Sequence, residues 1–297
     1  MIDYIQLWVS LNNTNQIWRE EMAEERTSGV IGRFLGSLNS RMRRFLFDFM
    51  SAGPIPQHIA FIMDGNRRFA KKWKLEEGAG HKAGFLALMS VLKYCYEAGV
   101  KYVTVYAFSL DNFNRRPDEV QYVMDLMHEK IEGFLKELNM VNRYGIRVLF
   151  IGDLNRLQEP VRVAAERAME ATSRNTNTYL LVCVAYTSSH EIPRAIYEAC
   201  QARASNNEGG DDDDGMRMIK VVDLEKNMYM GVVPDPDILV RSSGETRLSN
   251  FLLWQTGSSL LYSPKALWPE MGLRHVIWGI FKYQRNYYYL EKNKKQA

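Results

Sequence analysis

His58-Ile-Ala-Phe-Ile-Met-Asp-Gly-Asn-Arg-Arg68 (HIAFIMDGNRR) sets a short apolar run directly against a polar turn that carries glycine and two arginines. An apolar run of this length, His58–Met63, closed by Asp64-Gly65-Asn66, reads as a buried strand ending in a turn. Working outward, Phe85, Leu88, Met89, Leu92 and Tyr96 recur at helical spacing until Gly99 stops them. Val103–Ser109 (VTVYAFS) is rich in β-branched and aromatic residues and reads as a second strand. Pro117 suits the first position of a helix that carries Val120, Val123, Met124, Met127, Ile131, Phe134 and Leu138 on one face. Further strands are expected at Ile146–Ile151, Tyr179–Ala185, Ile238–Val240 and Leu260–Tyr262. Strands alternating with helices predict an α/β fold, an open and mostly parallel sheet flanked by helices on both faces.

Composition narrows what this sheet can serve. The 297 residues, 46% hydrophobic and 25% charged, suit one large core and one catalytic domain. A net charge of +3 is too small for a nucleic-acid stripe, so no nucleic-acid partner is expected. Cys95, Cys183 and Cys200 are few, odd in number and without metal-ligand spacing, which predicts reduced thiols. No apolar run reaches the roughly 20 residues of a spanning helix, and the N-terminus lacks the order of a secretory signal, so membrane contact is expected to be peripheral. Residues 1–53 read as a helical extension preceding a catalytic domain over 54–297. In that extension Phe34, Leu38, Met42, Phe45, Leu46 and Met50 make an apolar stripe beside Arg41, Arg43 and Arg44, which suits an interfacial helix or a helix packed on its own domain. Residues 205–215 (SNNEGGDDDDG) have nothing to bury and read as a flexible inserted loop; its aspartates lack the rigid surroundings that magnesium requires.

In an open parallel sheet, ligands bind beyond the carboxyl ends of the strands. Three polar clusters fall there: Asp64-Gly-Asn-Arg-Arg68, Phe108-Ser-Leu-Asp-Asn-Phe-Asn-Arg-Arg116 and Arg241-Ser-Ser-Gly-Glu-Thr-Arg-Leu-Ser249. Guanidinium groups pair with phosphate oxygens, and Asn, Ser and glycine-flanked backbone N–H groups add donors, so the three together point to diphosphate. Each alone would be an ordinary turn. Asp64 is the carboxylate able to hold magnesium among these cations, with a helix N-cap as its purely structural role. His81, in Gly78-Ala-Gly-His-Lys-Ala-Gly84, is placed in a loop before the second helix, where it could donate to phosphate. The glycine spacing is a poor dinucleotide fingerprint, and no Walker-type lysine loop is present.

These segments resemble the cis-prenyltransferases, in particular the eukaryotic dehydrodolichyl diphosphate synthases of plant type. The resemblance rests on HIAFIMDGNRRFAKK (58–72), GHKAG (80–84), YAFSLDNFNRRPDEV (106–120), DILVRSSGETRLSNFLLWQ (237–255) and ALWPE (266–270). It implies condensation of isopentenyl diphosphate with an allylic prenyl diphosphate, with Mg2+ as cofactor and a hydrophobic tunnel between sheet and helices for the growing chain. On this sequence, Asp64 would bind magnesium and the leaving diphosphate, Gly65, Asn66, Arg68, His81 and Arg115 would bind the allylic diphosphate, and Arg67 would bind substrate. Arg241, Arg247 and Ser249 would hold isopentenyl diphosphate. Phe108, Ser109, Asn112 and Glu119 match positions that shape the site, with Asn112 and Ser109 near the departing proton.

Two departures bear on the assembly. Members that work as a single type of chain carry a magnesium-binding Glu where Leu260 stands here, and end in an Arg-x-Gly motif that the segment Tyr289–Ala297 lacks. Both resemble eukaryotic catalytic subunits that work with a Nogo-B-receptor-like partner, which places the chain on the cytoplasmic face of the endoplasmic reticulum through that partner or its own N-terminal helix. A third difference is Glu77, where some relatives have a basic residue. Two other readings remain at this level: a non-catalytic lipid-binding or scaffold subunit of the same family, and a metal-dependent phosphohydrolase with Glu245 as its second carboxylate.

Overall fold

The apolar runs pair side by side into one parallel sheet. In the computed structural model, which describes residues 45–76, 78–206 and 219–295, the strands are β1 (His58–Ile62), β2 (Tyr102–Ser109), β3 (Ile146–Ile151), β4 (Thr178–Tyr186), β5 (Ile238–Arg241) and β6 (Leu260–Tyr262). Their order is β3-β4-β2-β1-β5-β6, and every pairing is parallel. The helices are α1 (Asn66–Lys72), α2 (Ala79–Glu97), α3 (Pro117–Lys136), α4 (Leu138–Tyr144), α5 (Glu159–Ala171), α6 (Ser188–Asn206), α7 (Val221–Asn227) and α8 (Leu273–Lys294). After β1 the chain builds toward β3 and β4, then returns to lay β5 on the other side of β1. The strand order therefore reverses between β1 and β5, the crevice where open α/β sheets take ligands.

Strand alternation divides the core. Ile59 and Phe61 of β1 pack with α2 and α8 on one face, while Ala60 and Ile62 join Leu181, Cys183, Tyr186, Phe251 and Leu252 on the other. A second cluster on the first face joins α3, α5 and the β3–β4 edge through Met124, Ile131, Val148, Val161 and Ala164. His58, fully buried at the start of β1, donates from Nδ1 to the Pro234 carbonyl at 2.6 Å and accepts the Thr104 hydroxyl at Nε2, 2.7 Å away. Burial lowers its pKa to about 4, so the ring is neutral and its two bonds fix one tautomer. Asp237 gathers the same end: one oxygen accepts from the Gln57 and His58 amides, and the other takes Lys294 of α8 at 2.6 Å.

The expected strands all form, with ends moved by a residue or two. The apolar face that begins at Pro117 crosses a break: α3 stops at Lys136, Glu137 N bonds Phe134 O at 3.0 Å, and α4 restarts at Leu138. Apolar periodicity reports a buried face, and a face can continue across a tightened turn. The placement of His81 is corrected: it lies in the first turn of α2. The glycines that read as a loop serve a close helix crossing. A Cβ at Gly80 would stand 2.1 Å from the Asn66 carbonyl oxygen, and one at Gly84 would stand 2.2 Å from Asn66 Oδ1. Gly80→Ala must push α1 away by its backbone, so it should cost about 2–3 kcal/mol; an unchanged urea midpoint would show that the crossing is looser than this. Of the apolar stripe in the extension, Met50 is buried, Leu46 half-buried and Phe45 exposed, while Phe47, outside that stripe, is buried. Residues 1–44, Glu77 and 207–218 lie outside the described residues, so the rest of the stripe and the acidic loop are not placed.

Candidate active site

Register brings the first and third polar clusters together. Ile62 of β1 is paired with Arg241 of β5, so the chain leaving β1 passes beside the end of β5. Ser242 fastens the two: its Oγ accepts the Asp64 amide at 2.9 Å and donates to the Asp64 carbonyl at 2.7 Å. The Asp64 carbonyl also accepts Trp268 N at 2.9 Å, and Trp268 Nε1 donates to the Gly84 carbonyl at 2.7 Å. The Asp64 carboxylate is thus presented by a fixed loop, and Gly65, with φ of 108°, supplies the left-handed turn into α1.

Two guanidinium groups bracket that carboxylate. Arg68 Nη2 lies 3.0 Å from Oδ1, and Arg241 Nη2 lies 2.8 Å from Oδ2. Burial acts to raise the Asp64 pKa, but the hydrogen bonds and charges of Arg241 and Arg68 outweigh it and hold the carboxyl below its ordinary 3.8. Arg241 is almost fully buried. Its Nη1 donates to Ser249 Oγ at 2.6 Å and to the Arg247 carbonyl at 2.5 Å, and its buried Nε has no partner among the described residues. Arg68 also donates to Ser243 Oγ at 2.7 Å, and Glu245 takes both Arg68 (3.5 Å) and Arg247 (2.5 Å). Ser243, Ser249 and Asn250 all have positive φ, so this loop holds backbone strain beside the carboxylate.

A second cationic cluster lies on the other side of α1. Glu119, in the first turn of α3, takes Arg115 Nη1 at 2.8 Å and Arg67 Nη1 at 3.4 Å. Burial, then the Arg115 charge, lowers the His81 pKa against the opposing pull of Glu119, which favours the neutral ring. Ser109 and Asn112 are held by each other: Ser109 N donates to Asn112 Oδ1 at 3.1 Å, and Ser109 Oγ accepts Asp111 N at 3.1 Å. Phe108 is buried in the core edge-on to Phe113 and is not among the residues that line the cavity described next.

Between the sheet and helices α2 and α3 runs an apolar cavity of about 280 Å³. Asn66, His81 and Trp268 stand at its polar end; Leu88, Leu92 and Val105 line its middle, and Tyr96, Ile146 and Thr178 its far end. Asn66 Oδ1 is buried there without a hydrogen-bond partner among the described residues.

The structure thus brings Asp64, Arg68, Arg241, Arg247 and Ser249 into one network, and Arg67, Arg115, Glu119 and His81 into a second. Ser242, Ser243 and Trp268 hold this loop in ways that sequence reasoning passed over, and Glu245, read there as a second carboxylate, pairs with Arg68 and Arg247. The serines and Glu245 lay inside a recognised polar loop, but only the register shows which atoms they meet. Leu260 pairs with Ile238, three residues before Arg241, so it stands roughly 10 Å along the strand from the Asp64 end. A carboxylate at that position would not reach this chain's own Asp64.

The chain is similar to known proteins over most of its length. The undecaprenyl diphosphate synthase family model matches residues 62–289. Dehydrodolichyl diphosphate synthase 6 of Arabidopsis thaliana is 55% identical over 282 residues, covering 90% of this chain and 96% of that protein. The dehydrodolichyl diphosphate synthase complex subunit DHDDS of Homo sapiens is 41% identical, covering 85% of this chain and 74% of that protein. Among solved structures, lavandulyl diphosphate synthase from Lavandula x intermedia, in complex with dimethylallyl diphosphate, superposes with a TM-score of 0.69 at 29% identity, covering 77% of this chain and 95% of that one. With the parallel sheet, the clustered arginines and the family model in agreement, the chain belongs to the undecaprenyl diphosphate synthase family of prenyltransferases.

Proposed function

We propose that this chain is a cis-prenyltransferase that adds isopentenyl diphosphate units, in cis, to an allylic diphosphate such as farnesyl diphosphate and yields a long-chain polyprenyl diphosphate of the dehydrodolichyl type. The observation that carries the reading is the asymmetry of the site. Two arginine clusters flank α1, and the apolar cavity opens beside only one of them, at Asn66 and His81. A diphosphate with a long tail finds a place for both its ends there. Isopentenyl diphosphate, short and tail-free, suits the cluster of Arg241, Arg247 and Ser249.

The residues then have distinct tasks. Ionisation of the allylic C–O bond leaves a carbocation and puts charge on the departing diphosphate; Arg115, Arg67 and the His81 N–H are the donors set around it. Glu119 occupies Arg115 and Arg67 in the meantime, keeping both in place. The double bond of isopentenyl diphosphate attacks the cation, the new C–C bond forms, and a proton leaves beside Ser109 and Asn112. Asp64 would hold Mg2+. Its carboxylate is anionic and accessible, each oxygen keeps a lone pair beyond its one arginine bond, and magnesium commonly takes one or two carboxylates with the rest of its shell from phosphates and water. The bound ion supplies neutralisation of diphosphate oxygens as the charge develops.

The phosphohydrolase reading finds no support in the family match, which is to prenyltransferases over residues 62–289. The scaffold reading has no use for a complete cationic network against a tail-sized cavity. A complex with a Nogo-B-receptor-like partner at the cytoplasmic face of the endoplasmic reticulum is supported by the complex-subunit name of the human relative.

The test is incorporation of labelled isopentenyl diphosphate into farnesyl-primed lipid with Mg2+, by this chain alone and with such a partner. Elongation with the partner supports the reading, and phosphate release without any longer lipid overturns it. The cavity gives a second check. Leu92→Trp places an indole between its polar and far ends, so the main product should become shorter while the initial rate of condensation changes less than about threefold. An unchanged product distribution on reversed-phase chromatography would remove the tail from this cavity.

A further inference from the structure

We infer that the turn closing α1, residues 71–75, is a bilayer-contact site: Trp73 and Leu75 enter the headgroup level of a membrane, and Lys71 and Lys74 meet anionic phospholipid headgroups. Trp73 and Leu75 are 58% and 43% exposed, large apolar side chains one residue apart on a turn of an otherwise polar surface. The turn is ordered. Leu75 N bonds Ala70 O at 2.9 Å and Lys74 N bonds Lys71 O at 3.3 Å, the paired bonds of a Schellman cap. The left-handed position of that cap, where glycine is favoured, is filled by Lys74 with φ of 52°. Lys72 is held by Glu270 at 2.5 Å and lies 5.5 Å from the Trp73 ring centre, so the indole is propped from beneath. Lys71 and Lys74 have no ion pair among the described residues.

Cations at the end of a helix suit its dipole, which accounts for Lys71 and Lys72 alone. It does not account for an exposed indole and leucine between lysines. Aromatic and aliphatic side chains interleaved with lysine are the composition of interfacial membrane contacts, where apolar groups enter the headgroup boundary and the cations meet negative lipid. The position suits this partner too. His81 lines both the apolar cavity and a neighbouring groove, which Leu75, Lys71, Arg67 and Glu119 also line, so the contact lies beside the second cationic cluster, on a path out of the polar end of the cavity. A tail that leaves along that path toward a membrane would avoid bulk water. Only this last point rests on the prenyl-transfer reading; the surface itself is tested without turnover.

The experiment is flotation of the full-length chain with vesicles of phosphatidylcholine, alone or with phosphatidylserine. The wild type should bind the mixed vesicles more strongly, and Trp73→Ser/Leu75→Ser should lower partitioning about tenfold. Lys71→Gln/Lys74→Gln should remove the preference for phosphatidylserine, at about fivefold per lysine. Both variants should elongate in detergent at the wild-type rate, which shows that they are folded. Wild-type binding by both variants would overturn the site, as would binding that ignores phosphatidylserine. Loss of a partner subunit with vesicle binding intact would reassign the turn to a protein interface and overturn it equally.

Discussion

Asp64→Asn is expected to lower kcat by about a thousandfold while the chain stays folded. The amide keeps the shape of the carboxylate and removes its charge, so Arg68 and Arg241 face a group that can accept from one of them at most. The site then loses both its anchor for a divalent cation and the anion that holds two guanidinium groups in position. Removing the carboxylate should cost stability only about 1–2 kcal/mol, because Arg68 keeps Ser243 and Glu245, and Arg241 keeps Ser249 and the Arg247 carbonyl. Turnover near wild type, in a protein with an ordinary unfolding transition, would remove Asp64 from the chemistry. The pH dependence carries the same sign. Its pKa is depressed in the folded state, so its contribution to stability is complete above the ordinary carboxylate value and is lost as pH falls through the folded value.

Arg241→Ala is expected to raise the KM for isopentenyl diphosphate by about a hundredfold, with a much smaller effect on that for the allylic diphosphate. Truncating one member of a buried, charge-assisted network costs ~3 kcal/mol, and each 1.4 kcal/mol is a factor of ten. The asymmetry follows from place. Arg241 is tied to Ser249 and the Arg247 backbone, whereas the allylic side is served by Arg115, Arg67 and His81 across α1. Asp64 would also lose the partner that does most to depress its pKa, so the acid limb of the pH–rate profile should move to higher pH. Equal effects on both substrates would place Arg241 at a shared position.

The sheet was readable because its strands are continuous apolar runs, which a parallel sheet covered on both faces requires. His58–Ile62 and Ile146–Ile151 could be marked nearly to the residue. Helix α2 was harder. Gly78, Gly80 and Gly84 look like a loop in one dimension, and only the crossing with α1 shows that Gly80 and Gly84 lack side chains because Asn66 occupies that space. Glu245 read as a free carboxylate in one dimension, and only the folded loop shows that it holds Arg68 and Arg247. Leu260 stands where single-chain members carry a magnesium-binding Glu, and only register, which pairs it with Ile238, shows how far it lies from Asp64.

Sequence by itself determined the strand–helix alternation, the three cationic clusters and the family, because strand burial and phosphate recognition each demand particular residue types at local spacing. It could not say which members of these clusters meet. That was decided by the order β3-β4-β2-β1-β5-β6, which places Asp64 against Arg241, and by α1, which sends Arg68 to one cluster and Arg67 to the other. The physical reason is that a parallel sheet joins strands far apart in sequence. Asp64 and Arg241 are separated by 177 positions, and only strand order and register set the 2.8 Å between them.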